Sequence, residues 1–179
     1  AGLDSSGRLT AWDFTNYNAG TAGLDSPYTA PHSRTRFLYT DSPLREGSYR
    51  GIAATANHFA RELFIDELAA AAQSDPLAFR LAHLEDARMR AVLQAAADRF
   101  QWTSRWKKRS GAIGVGIACG TEKGSYAAAC VEVELVQGQI RVREISQAYE
   151  CGAIQNPANL RAQVEGSIIM GLGGALTEE

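Results

Sequence analysis

Cysteine is scarce, and none of it is arranged as a site. Cys119, Cys130 and Cys151 are the three thiols among 179 residues, and no two form a Cys-x-x-Cys pair. Structural zinc centres and dithiol redox motifs depend on that spacing, so neither is read here. Each cysteine sits among apolar or small neighbours, which predicts three buried free thiols. An excess of charge of one sign is also missing. Lys plus Arg number 18 against 20 for Asp plus Glu, so no global field draws in nucleic acid or an anionic lipid surface. No apolar run approaches the roughly 18 residues that a membrane-spanning helix needs. His32, His58 and His83 have no His-x-x-x-His or His-Glu-x-x-His spacing, and neither Gly-x-Ser-x-Gly nor Gly-x-x-x-x-Gly-Lys-Ser/Thr occurs. Zinc hydrolysis, serine hydrolysis and P-loop phosphoryl transfer therefore lose their warrants. No catalytic residue and no metal ligand is nominated, and the isolated histidines read as surface or satisfied core groups.

The composition that remains is 45% hydrophobic and 21% charged, which is globular rather than collagen-like, coiled-coil or disordered. A chain of this length forms one domain of about 150 residues or a slightly enlarged one. It can bury about 70% of its extended-chain surface. The N-terminus has no Met and no basic or apolar leader, and it begins in the turn Asp4-Ser5-Ser6-Gly7. The expectation is a piece cut from a longer chain.

Arg8–Thr15 alternates apolar and polar residues, and Thr35–Thr40 is a second run rich in aromatic and β-branched residues; both predict strands. Residues 16–33 between them are dense in Gly, Pro, Asn and Ser, which predicts a long binding loop or one ordered by a neighbour. From Ala53 to Ala72 the apolar stripe Ala56, Phe59, Ala60, Leu63, Phe64, Leu68 and Ala71 predicts an amphipathic helix, with Arg61, Glu62, Asp66 and Glu67 on its wet side. Asp75-Pro76 starts a second helix to about Glu85, and Asp86 caps a third to about Phe100, with Val92, Leu93, Ala96 and Phe100 inward. Trp102 to Arg109 reads as a helix end followed by a basic segment, either an exposed linker or a phosphate patch. The period then switches to two: a Gly-rich buried strand over 111–120, then a hairpin. In that hairpin Val131, Val133 and Leu135 face Ile140, Val142 and Ile145 across a turn at Gln137-Gly138. A last helix over Asn159–Leu176 follows the Asn156-Pro157 turn, with Val164, Ile168, Ile169 and Leu172 inward. Strands, then helices, then strands predict an α+β fold, an antiparallel sheet with a helical layer.

Two constellations combine glycine with a planar polar side chain. In Gly47-Ser48-Tyr49-Arg50-Gly51, glycine permits close backbone approach, the following helix offers N–H donors, and Arg50 can fork onto an oxyanion. A tight turn with a solvated arginine fits equally well. In Gln163-Val164-Glu165-Gly166, running on to Gly171, Gly173 and Gly174, the glycines cost the helix about 1 kcal/mol each against alanine, so close packing on a backbone or a flat ligand is implied. Packing alone explains the glycines but not Gln163, whose amide suits a heterocycle.

PLREGSYRG, ANHFARELFIDELAAAAQSDPLAFRLAHL and NPANLRAQVEGSIIMGLGGALTEE, in that order, resemble the large molybdenum-binding subunit of the xanthine dehydrogenase and aldehyde oxidase family. The resemblance covers Pro43 to Glu179. It implies that Gly47, Arg50 and Gly51 lie beside a molybdenum centre, and that Gln163, with Gly166, hydrogen-bonds the molybdopterin cofactor. Only Lys107 to Gly124 joins the helices to the hairpin, where xanthine dehydrogenase-like subunits carry a glycine-glutamine-glycine motif and a long further stretch. That shortened order, with Ala56-Asn57-His58-Phe59, is similar to the isoquinoline 1-oxidoreductase beta subunit group. Ile52-Ala53-Ala54 stand where the family usually has phenylalanine and glycine, so no aromatic pocket wall is carried over to Ile52.

The resemblance implies that residues 1–179 are a single α+β domain within a larger molybdenum-binding subunit. The parent would be a molybdenum hydroxylase that oxidises an N-heterocycle or aldehyde with water as oxygen source and passes electrons to an iron–sulfur subunit. The family's basic glutamate lies in a Gly-x-Gly-Glu motif downstream of the Gln-x-x-Gly helix, and Glu178 and Glu179 do not match it. The isolated piece is therefore expected to hold no molybdopterin and to be inactive, and its compartment, cytoplasmic or periplasmic, stays open. The competing expectation is a non-catalytic α+β scaffold or interaction domain whose glycines serve packing alone.

Overall fold

A computed structural model describes residues 1–44, 47 and 49–178; Arg45, Glu46, Ser48 and Glu179 of the quoted segments lie outside the described residues. The elements are β1 (Gly2–Leu3), β2 (Leu9–Tyr17), β3 (His32–Leu38), α1 (Ile52–Ala71), α2 (Pro76–His83), α3 (Ala87–Phe100), α4 (Trp102–Lys108), β4 (Ile113–Glu122), β5 (Ser125–Val136), β6 (Gln139–Glu150) and α5 (Pro157–Leu176). They form two three-stranded sheets, β1-β2-β3 and β4-β5-β6. The second is antiparallel throughout and carries α3 on one face, which is the expected α+β arrangement.

The hairpin follows its sequence pattern residue by residue. Val131 pairs with Ile145, Val133 with Val142 and Leu135 with Ile140. Two-residue turns close both antiparallel connections, Lys123-Gly124 (φ 51° and 77°) and Gln137-Gly138 (φ 51° and 78°). Positive φ at both positions matches the right-handed twist of the flanking strands, and glycine supplies the second position without strain.

The helical caps hold as well. The Asp75 carboxylate accepts from Leu77 N at 2.8 Å and Ala78 N at 3.2 Å, with Pro76 at the first helical position. Asp75 also takes the Trp102 indole N–H at 3.0 Å, tying α4 to the start of α2. Asp86 accepts from Arg88 N and Met89 N, a cap that contributes about 1 kcal/mol. α2 stops at His83 rather than Glu85 because Leu84 turns extended and bridges to Tyr28. The core lies where α3 buries Met89, Val92, Leu93, Ala96, Ala97 and Phe100 against Ile117, Cys119, Ala128 and Cys130.

Three expectations change. First, β3 begins at His32, inside the segment read as loop, because it pairs parallel to β2 from Ala11↔His32 onward. Secondly, α1 is turned over. Its buried residues are Ala53, Asn57, Arg61, Glu62, Ile65, Leu68 and Ala69, whereas Phe59 is 70% and Leu63 50% exposed. Arg61 and Glu62, which read as wet, are buried because they pair inside the protein, whereas Asp66 is half-buried and Glu67 stays exposed. Thirdly, α5 buries none of its residues; Ile169 is 70% exposed, while Val164, Ile168 and Leu172 are only half-buried. Of the thiols, Cys119 and Cys130 are buried and Cys151 is half-buried.

The buried polar face of α1 forms one network. The Glu62 carboxylate accepts from Tyr28 Oη (2.9 Å), Arg61 Nε (3.1 Å), Arg80 Nε (3.0 Å) and the Cys119 backbone N–H (3.1 Å). Arg61 donates to the Cys119 carbonyl (3.4 Å) and the Gly23 carbonyl (3.0 Å), and Asn57 donates to the carbonyls of Gly20 and Ala22. Arg80 reaches Asp66 at 2.6 Å. Burial opposes the Arg80 charge, but the surrounding Tyr28, Glu62 and Asp66 oxygens more than offset it and raise its pKa. The 18–31 loop is thus ordered by α1 of its own chain.

Neutralising a charge at the centre of such a network leaves the opposite charges stranded. Glu62→Gln is expected to lower stability by about 3–5 kcal/mol, read from the midpoint of urea unfolding. Glu67→Gln, on the exposed face, is expected to stay within about 0.5 kcal/mol of the parent.

Candidate functional site

The first candidate site is the turn that opens α1. Gly51 is its N-cap in the left-handed region, φ 85° and ψ −6°, and no side chain caps the helix. A Cβ on Gly51 would stand 2.4 Å from Thr55 Oγ1, so both backbone conformation and space require glycine there. Ile52 follows at φ 51°, a costly conformation for a β-branched residue and the kind of strain that collects at functional turns. The first turn of this 20-residue helix contains no acidic residue. The Ile52 N–H donates to the Tyr49 carbonyl at 2.9 Å, and the N–H groups that follow it, with the positive end of the dipole, stay available to an anion.

The structure separates the predicted residues into two groups. Arg50 is exposed and its Nη1 contacts Met170 Sδ on α5 at 3.0 Å, while Tyr49 Oη donates to Glu178 at 3.1 Å. The turn therefore meets the C-terminal half of α5. Gln163 is exposed seven residues before Met170, roughly 10 Å along the helix axis, and no hydrogen bond links it to Arg50. Nothing among the described residues lies within 4 Å of a Cβ on Gly166, Gly171, Gly174 or Gly47. The close packing implied by the α5 glycines is therefore not made to a described part of the chain. The basic segment forms α4 instead of a phosphate patch: Arg105 pairs with Glu132 and Glu144, and Arg109 covers the Trp106 ring at 3.3 Å.

The histidines divide by environment. His83 is a satisfied core residue: Leu9 N donates to Nε2 at 2.9 Å, which leaves the Nδ1 proton for the Phe79 carbonyl at 2.8 Å. His32 is exposed. His58 is wedged between two backbones. A Cβ on Gly23 would sit 2.5 Å from its Nε2, and one on Gly120 would sit 2.7 Å from Cε1 and Nδ1. Its Nε2 is buried without a hydrogen-bond partner among the described residues. Burial, and then the Arg61 charge, hold its pKa below the usual imidazole range.

Beside His58 runs an apolar groove of about 610 Å³, which motif reading did not find. Phe59 and Leu63 of α1 form one wall, Gly116, Ala118, Ala127 and Ala129 the floor, and Gln147 and Tyr149 of β6 the far wall. Asp66 and Glu122 add carboxylates; burial raises the Asp66 pKa, though Arg80 partly offsets it. Two signals in the sequence could have located the groove: the apolar stripe of α1, and strands β4 and β5 that are apolar on both faces. Among the described residues, no group of three or more His, Cys, Asp or Glu could hold a metal ion.

With an α+β fold in hand, comparison with known proteins assigns the family. The chain belongs to the molybdopterin cofactor-binding domain family, whose profile matches residues 51–179, from the Gly51 turn through α5. Over 169 residues it is 31% identical to a nicotinate dehydrogenase subunit of Pseudomonas putida, covering 86% of this chain and 14% of that protein. Over 132 residues it is 33% identical to the beta subunit of isoquinoline 1-oxidoreductase from Brevundimonas diminuta, covering 72% of this chain and 17% of that one. It is also 25% identical over 179 residues to a membrane-bound aldehyde dehydrogenase [pyrroloquinoline-quinone] of Gluconacetobacter polyoxogenes, at 88% and 23% coverage. The chain thus spans less than a quarter of the length of each. The resemblance read from its motifs is borne out.

Two tests follow for His58. A base whose folded pKa is depressed binds its proton less readily in the native state. Its contribution to stability is complete above the unfolded value, about 6.5, and is lost as pH falls through the lowered folded value. As pH falls below about 6.5, urea midpoints are expected to drop more steeply than those of His58→Gln; parallel profiles would contradict this. Gly120→Ala is expected to cost about 1–3 kcal/mol by overpacking, and much less in a His58→Ala background, a coupling read from a double-mutant cycle.

Proposed function

We propose that residues 1–179 form one α+β domain of the molybdenum-binding subunit of a molybdenum hydroxylase, and that this domain supplies part of the wall holding molybdopterin. The observation that carries the reading is the uncapped, left-handed Gly51 turn at the head of α1, next to Arg50 and at the start of the matched family region. The donor set fits the group. A guanidinium and free helix N–H groups suit the anionic oxygens of a pterin cofactor, and a carboxamide that donates and accepts suits its heterocycle.

In this reading Arg50 forks onto an anionic oxygen, and Gly47 and Gly51 let the backbone approach it. Gln163 hydrogen-bonds the ring system, and Gly166 keeps that face of α5 clear of a side chain. When bound, the molybdenum cofactor supplies the two-electron redox centre for hydroxylation with water as the oxygen source. The chain's own residues position and orient it; the base that removes a proton lies outside these 179 residues, so the isolated domain is inactive. Relatives named for nicotinate, isoquinoline and aldehyde support an N-heterocycle or aldehyde as substrate. An iron–sulfur subunit is the electron-accepting partner.

The test uses the full-length subunit with its partner. Arg50→Ala removes a charge-assisted hydrogen bond worth about 1.5–3 kcal/mol and Gln163→Ala a neutral one worth about 0.5–1.5 kcal/mol, so the Arg50 variant is expected to lose more than the Gln163 variant. Cofactor retention in the Arg50 variant is expected to weaken about 10- to 100-fold, read in both variants as molybdenum by mass spectrometry and as pterin fluorescence after release. Full molybdenum and pterin content in both purified variants would overturn the assignment.

A further inference from the structure

The outward face of the β4-β5-β6 sheet calls for a cover. In an antiparallel sheet with one wet face, strands alternate apolar and polar residues. Here α3 covers the inner face, built on Ile117, Cys119, Ala128 and Cys130, yet the opposite face is apolar too, with Gly116, Ala118, Ala127, Ala129 and Val131 along the groove. A sheet apolar on both faces is one packed on both. The flank agrees, because α1 turns its large apolar side chains Phe59 and Leu63 toward this groove while Arg61 and Glu62 are buried in the interior.

The shape of the groove selects its occupant. Its floor is a sheet face, and at Cys119 the β4 edge beside it is already taken by Glu62 and Arg61, which disfavours β-strand addition. Glycine and alanine make that floor shallow, and a helix, roughly 10 Å across, can lie on it at the usual face-to-face spacing. Asp66 and Glu122 carry carboxylates at the groove; one oxygen of each is engaged within the domain, Asp66 by Arg80 and Glu122 by the Gly23 N–H, and the second oxygen of each can take a basic side chain opposite. The relatives are more than four times longer than the matched region, which covers 14%, 17% and 23% of their lengths. Such chains contain ample polypeptide to provide the helix in cis.

We propose that this groove seats an α-helix from the remainder of the same polypeptide, one that lays aliphatic side chains on the Gly/Ala floor and points a Lys or Arg at Asp66 and Glu122. The groove is then an internal seam of the full-length chain. The proposal rests on the reading that residues 1–179 are one domain of a longer subunit, and not on how the cofactor is held, since none of the groove-lining residues belongs to the Arg50 or Gln163 motifs.

The experiment places a benzophenone amino acid at Phe59 of the full-length protein, an aromatic-for-aromatic exchange on an exposed position. After irradiation, cross-linked peptides are mapped by mass spectrometry in a mixture of 14N- and 15N-labelled protein. The expected product is a cross-link within one isotopic chain, to a helical peptide bearing Lys or Arg. A mixed-isotope cross-link would assign the groove to a second copy, and a link to another subunit would assign it to that partner; either result overturns the proposal. As a second reading, Ala118→Cys in the native full-length protein is expected to react with maleimide about tenfold more slowly than Ser110→Cys on the surface, as local protection by packing requires. Equal rates would overturn it.

Discussion

The structure depends on how α1 closes the open edge of β4. A terminal strand leaves backbone N–H and C=O groups unpaired, and an unpaired buried amide is costly. At Cys119 the Glu62 carboxylate accepts the N–H while the Arg61 guanidinium donates to the C=O. Two adjacent side chains of a helix therefore do the work of a neighbouring strand. Their charges are settled by Arg80 and by each other, and the spare donors of Arg61 hold the carbonyls of the 18–31 loop. Once this edge is closed, α1, α2, β4 and the N-terminal sheet have fixed positions relative to one another. The Tyr28 hydroxyl and the Cys119 thiol, both raised in pKa by burial, the thiol to about 12, remain protonated within it and serve as structural groups.

This arrangement explains what could and could not be read in advance. Caps and turns are local chemistry, so Asp75-Pro76, Asp86 and Gln137-Gly138 all stand where their patterns put them. The hairpin register follows from alternation over adjacent segments and came out pair by pair. The orientation of α1 could not be read this way, because amphipathicity assumes that charge faces water. Arg61 and Glu62 break that assumption by finding partners distant in sequence, in Tyr28, Arg80 and Cys119. The same limit applied to β3, whose parallel pairing to β2 is non-local. His58 stood out only as an isolated histidine; that it is wedged between Gly23 and Gly120 requires a loop and a strand distant in sequence to meet.

For the cofactor motifs, sequence and structure contribute different things. The match from residue 51 onward rests on residue identities spread along the chain, which is why it could be recognised before any geometry was known. The geometry adds that Gly51 is demanded by its backbone and that α5 meets the Arg50 turn while burying none of its residues. A helix as apolar as Ile168-Ile169-Met170-Gly171-Leu172, with nothing buried, is a surface meant for contact.

The parallel β2–β3 pair also bears on the order of events in time. β4, β5 and β6 join through two-residue turns, and α3 lies shortly before them in sequence, so that half closes by short-range contacts. The N-terminal sheet is different. Its connecting loop is held by Asn57, Arg61 and Glu122, the last of these 99 residues after its Gly23 partner. The Asn57 and Arg61 anchors follow the loop within about 40 residues, but the Glu122 anchor exists only once β4 has been made, so closing this half of the domain requires contacts of far greater sequence separation than closing the other.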